Sequence, residues 1–110
     1  MAKATYWQRG DAVDYTNGGS AKIEANEVIV FGTKIGVAGT DIAVGEMGSL
    51  IVAGVFELPK ASGAITAGAA VYWSATNSNV TTTSTNNTLA GFAVAAAASD
   101  DTTVLVKINA

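Results

Sequence analysis

Three pairs of carboxylates are the side chains best placed to do chemistry: Asp11 with Asp14, Glu24 with Glu27, and Asp100 with Asp101. Two carboxylates flanking one bond can serve as acid and base, as in glycoside hydrolysis. Their settings point elsewhere. Asp11 follows Gly10, and Asp100-Asp101 follow Ser99, which are turn contexts. The sequence has no histidine, so the commonest general base is missing and a Ser-His-Asp arrangement is impossible. It has no cysteine, so neither a disulfide framework nor a thiolate metal site can form. Neither a G-x-S-x-G elbow nor an S-x-x-K spacing occurs.

Oxygen ligands alone leave Ca²⁺ or Mg²⁺ as the metals to consider, and Asp100-Asp101 lacks the EF-hand pattern. There is no G-x-x-x-x-G-K-[ST] loop, and Gly36-Val37-Ala38-Gly39 is not a dinucleotide fingerprint. The chain is therefore expected to have no catalytic, metal or cofactor-binding residues, and not to be an enzyme.

Charge narrows the partners. The formal net charge is -3, and Lys3, Arg9, Lys22, Lys34, Lys60 and Lys107 are scattered singly. Nucleic-acid binding needs clustered cations to neutralise phosphates, so that class is disfavoured. Charged residues make up 14% of the chain and hydrophobic ones 49%, a balance suited to burying surface against protein partners. No stretch approaches the roughly 20 apolar residues of a membrane helix; Leu50 to Phe56 and Leu89 to Ala98 are strand-sized. The first apolar run follows Lys3 and contains Gln8 and Arg9, which does not read as a secretion signal. Synthesis in the cytoplasm is expected, so the sequons at Asn79 and Asn86 carry no weight.

The elements that must position these residues are strands. Twelve glycines punctuate the chain and β-branched residues dominate between them, which disfavours helix. Strands are expected at Asp11 to Tyr15, Glu27 to Phe31, Lys34 to Ala38, Ile42 to Ala43, Ser49 to Leu58, Ala70 to Ala75, Val80 to Thr83, Leu89 to Ala97 and Thr103 to Ile108. Gly32-Thr33 fits a two-residue hairpin connection, and Ser49 to Leu58 is the strongest strand. Tyr72 and Trp73 must point to opposite faces. The threonine- and asparagine-rich run Thr76 to Thr88 reads as a solvent-facing hairpin or loop. Four alanines, Ala95 to Ala98, suggest close approach of another backbone, from this chain or from a second subunit. No repeat at a solenoid period is present. The fold class is all-β, a small single-domain barrel or sandwich over residues 10–110, preceded by an N-terminal arm over 1–9.

The order of segments resembles a known family. The arm leads into Gly10-Asp11-Ala12-Val13-Asp14-Tyr15, then Phe31-Gly32 and Ile35-Gly36-Val37-Ala38. Gly54-Val55-Phe56-Glu57-Leu58-Pro59-Lys60 and Ala67-Gly68-Ala69-Ala70-Val71-Tyr72-Trp73 follow, and are the most specific parts. Gly91-Phe92-Ala93 and Val104-Leu105-Val106-Lys107-Ile108 close the chain. Over essentially its whole length this resembles the capsid cement, or head-decoration, proteins of tailed bacteriophages and prophages. Members often carry a recombinase label, which the missing phosphate loop contradicts here. The resemblance implies a virion protein that binds the major capsid protein on the exterior of an assembled head, with no catalytic residues to carry over. It is expected to act as a homo-oligomer, a trimer first and a dimer as the alternative, with neither nucleic acid nor membrane as partner. Arm aromatics need a surface to dock on, either their own domain, as a first strand, or a partner; on the partner reading the expected capsid contacts are Lys3, Tyr6, Trp7 and Arg9. The competing readings are another virion β module, from a tail or fibre or binding carbohydrate, and an OB-like nucleic-acid-binding domain.

Overall fold

A computed structural model describes residues 2–6 and 10–110. Among these residues nine strands form two antiparallel sheets. They are β1 (Ala12–Thr16), β2 (Val28–Phe31), β3 (Lys34–Ala38), β4 (Met47–Ile51), β5 (Val55–Pro59), β6 (Ala70–Ser74), β7 (Asn79–Thr81), β8 (Thr88–Ala93) and β9 (Thr103–Ile108). The first sheet has the order β1-β4-β3-β2 and the second β5-β9-β8-β6-β7. The architecture is a sandwich rather than a closed barrel. One parallel bridge, Lys60 to Val80, brings the end of β5 against β7 at the far margin of the second sheet.

Alternation decides which side of each strand is buried. In β9 Val104, Val106 and Ile108 point inward, while Leu105 and Lys107 point out. Val71 and Trp73 of β6, Leu58 of β5 and Val80 of β7 join them, and Ile35 and Val37 of β3 close the core from the first sheet. Trp73 is buried and Tyr72 half-buried, as alternation requires. The hairpin at Gly32-Thr33 is confirmed by the pairing of Phe31 with Lys34.

The two sheets are joined twice. The first junction lies in the segment Ser49 to Leu58, which is two strands and not one. β4 belongs to the first sheet and β5 to the second. The chain crosses between them at Val52 to Gly54, where Gly54 takes φ 118, a value that side chains disfavour. The second junction is Asn109. Its amide nitrogen donates to the carbonyls of Ile35 and Val52 at 2.7 and 2.8 Å, and its oxygen accepts from the Ile35 N–H at 3.2 Å.

The sheets also share one wiring pattern. β1-β4-β3-β2 and β5-β9-β8-β6 are connected identically, and β7 is an added strand in the second half. Before β2, β4, β6 and β9 comes the same device: a bridging residue followed by a four-residue turn. Ile23 bridges Ile42, and Ile65 bridges Ala97. The turns close by Glu27, Glu46, Ala69 and Asp101 N–H donating to the carbonyl three residues earlier, at 2.9 to 3.2 Å. In the first three turns the third residue is left-handed: Asn26, Gly45 and Gly68.

Leu89 to Ala97 also departs from the expected single strand, because β8 stops at Ala93. Ala97 exchanges two backbone hydrogen bonds with Ile65, at 2.8 and 2.9 Å, so the backbone approaching the alanine run belongs to this chain. Within β8 the register slips opposite Val71/Tyr72. Gly91 sits at the slip with φ 146, and a Cβ there would lie 2.0 Å from the Lys107 carbonyl oxygen.

Candidate functional site

Three carboxylates, Glu27, Asp101 and Asp41, serve as turn anchors. The Glu27 carboxylate accepts the Glu24 N–H inside the turn before β2. Asp101 Oδ2 accepts the Ala98 N–H at 2.8 Å inside the turn before β9. Asp41 was not singled out from the sequence, yet it does the same across a longer distance. Its Oδ1 accepts the Ala25 N–H at 2.8 Å, and Lys22 Nζ lies 3.3 Å from its other oxygen. The Ala25 N–H first, and then Lys22, hold its carboxyl below the ordinary value of 3.8. Asp14 is exposed on β1 opposite Ser49, and Asp11 precedes that strand. Among the described residues no group of three or more carboxylates gathers to hold a metal ion.

Two buried polar residues hold corresponding places in the two halves, each directly after the first strand. Asn17 follows β1; its side-chain amide donates to the carbonyls of Ala21 and Ile42, both at 2.9 Å. Lys60 follows β5; its ammonium donates to the carbonyls of Ala61, Ser99 and Asp101 at 2.9, 3.3 and 3.4 Å. Asn17 N–H also donates to the Glu46 carbonyl, and Lys60 N–H to the Thr102 carbonyl, both at 2.9 Å. Each residue thus pins the turn that leads into the last strand of its sheet. Lys60, the end of the most specific sequence segment, is an architectural residue. The sequence gives no sign of this, because lysine is seldom found buried.

The expected contact residues lie on the arm. Lys3 is exposed, and Tyr6 is 83% exposed. Trp7 and Arg9 lie outside the described residues. The structure thus gives the arm residues 2–6 no docking place on the sandwich.

A second exposed surface was missed from the sequence. On the side of the second sheet opposite the core, Val55 of β5 is 54% exposed, Leu105 of β9 is 42%, and Val94 just beyond β8 is 38%. Register joins them: Val55 opposes Lys107, Glu57 opposes Leu105, and Phe92 opposes Lys107. Val94 N–H donates to the Leu105 carbonyl at 3.0 Å. The signal was present in β9, where Leu105 stands at an outward position that a solvated sheet would fill with a polar residue.

Open grooves flank the sandwich. One of about 440 Å³ is lined by Gly32 to Lys34, Tyr72 and Asn87 to Leu89, with Lys34 as its sole ionisable group besides the Tyr72 phenol. It offers no acid and base facing one another.

No curated protein and no solved structure matches the chain. A family model described as phage cement protein matches residues 7–108, nearly the whole chain and all nine strands. The two-sheet, all-β architecture and the absence of helix among the described residues accord with what the segment order implied. The chain belongs to the phage cement protein family, a family of structural proteins associated with the capsid.

Proposed function

We propose that this chain binds the outer surface of a phage or prophage head and stabilises the shell by contact alone, without catalysis. The family match over residues 7–108 carries this reading. In it, the major capsid protein is the partner, residues 1–9 form a separate contact arm, and the chain is made in the bacterial cytoplasm before joining the virion exterior. Lys3, Tyr6, Trp7 and Arg9 make the capsid contacts; the exposure of Lys3 and Tyr6 supports this. Self-association into a closed oligomer lets several arms engage one lattice, and linked weak contacts gain strongly in avidity. Binding only the assembled shell stabilises that state by mass action.

Co-sedimentation with expanded heads tests the reading. The full chain is expected to pellet with heads, and a chain lacking residues 1–9 to keep its β-sheet circular dichroism but stay in the supernatant. Equal pelleting by the shortened chain would sink the arm assignment. Failure of the full chain to pellet would sink the cement role itself.

A further inference from the structure

We propose that the outer face of the second sheet, where β5, β9 and the end of β8 meet, seats a second copy of this chain across a two-fold axis. The inference deepens the self-association above and rests on that reading for its setting.

Val55, Leu105 and Val94 form an apolar field with the half-buried Phe92 at its margin. Their core-facing neighbours, Leu58, Val104 and Val106, already fill the interior, so among the described residues nothing calls for apolar residues on the other side. Apolar side chains placed together on an outward sheet face mark a docking surface.

Charge says what docks. The field holds one carboxylate, Glu57, and one ammonium, Lys107. Among the described residues Glu57 accepts only the Thr103 hydroxyl, at 3.4 Å, and Lys107 makes no ion pair, the recorded pair being Lys22 with Asp41. Because Glu57 opposes Leu105 and Lys107 opposes Val55, the two charges stand diagonally on adjacent strands. An axis lying in the face and passing between them sets each Glu57 against the partner's Lys107, twice per dimer, with the apolar residues between. The face is its own complement. A contact of one patch with itself is isologous and gives a two-fold, whereas a three-fold must join different patches.

Light scattering and analytical ultracentrifugation of the full chain test this. The expected mass is twice 11.0 kDa. Leu105→Asp changes an exposed side chain, so it should keep the β-sheet circular dichroism and give a monomer. Glu57→Lys and Lys107→Glu should each weaken the dimer by at least about tenfold, and the two together should restore it. A wild-type monomer at high concentration, a mass of three chains, or a dimer indifferent to Leu105→Asp would overturn the proposal. Head co-sedimentation is read separately. A wild-type monomer that still pellets with heads removes the dimer and keeps the cement role; a dimer that never pellets does the reverse.

Discussion

Lys60 places an ammonium among three backbone carbonyls, and among the described residues no carboxylate answers it. Three donors meeting three acceptors is what makes such burial tolerable, since an uncompensated charge away from water is costly. Lys60→Met keeps most of the aliphatic stem and removes the hydrogen bonds. It is expected to lower stability by about 2 kcal/mol, the scale of hydrogen bonds to a charged group. Denaturant midpoints at constant m-value would measure it. Head binding by the folded fraction should be unchanged, which separates an architectural lysine from a capsid contact. Unaltered stability with lost binding would reverse the assignment.

At the scale of elements, the strands with clear alternation were legible. Thr103 to Ile108 carries inward residues at every second position, Lys34 to Ala38 follows the turn at Gly32-Thr33, and both emerge with the expected bounds. The crossing at Val52 to Gly54 was not legible. An apolar run on both sides of a glycine looks the same whether the chain continues in one sheet or passes to another. The repeated turns were hidden for a different reason. Ile23-Glu24-Ala25-Asn26, Ile42-Ala43-Val44-Gly45 and Ile65-Thr66-Ala67-Gly68 share only an isoleucine and a residue able to turn left-handed. The shared wiring of the sheets lies in pairing, and β7 with its loop interrupts the spacing. The exposed sheet face escaped notice because its residues come from three distant segments. One of these turns yields a pH prediction. Asp41 has a folded-state pKa below 3.8, so its contribution is present above that value and lost as pH falls through the lower folded one. The Ala25 amide proton is expected to titrate with a midpoint below 3.8, and to show no such step in Asp41→Asn. A midpoint at or above 3.8 would remove Asp41 as the anchor. The Lys22 part is exposed and should fade with added salt.

The whole molecule is thin. Its extents are 44 × 41 × 22 Å, and its accessible surface is 6820 Å². A compact monomer of this mass would expose roughly 5,600 Å². The described arm residues, all exposed, and the flat shape both add to the exposed area. Both features trade self-sufficiency for contact area, which suits the cement role proposed above.

The order of strands has a kinetic consequence. In each sheet the last strand to be synthesised is an interior one: β4 lies between β1 and β3, and β9 between β5 and β8. β5 therefore has no ladder partner until nearly the entire second half has left the ribosome, and Asn109, which ties Ile35 to Val52, arrives later still. β6, β7 and β8 can pair among themselves before β9 exists, but β5 must wait unpaired. Such non-local pairing folds on the millisecond-to-second scale. Stopped-flow refolding of the isolated chain should fall in that range, and microsecond refolding would show that β9 is not the strand the others wait for. In the proposed cement role, the chains able to bind an assembled head would be completed, released ones rather than chains still being made.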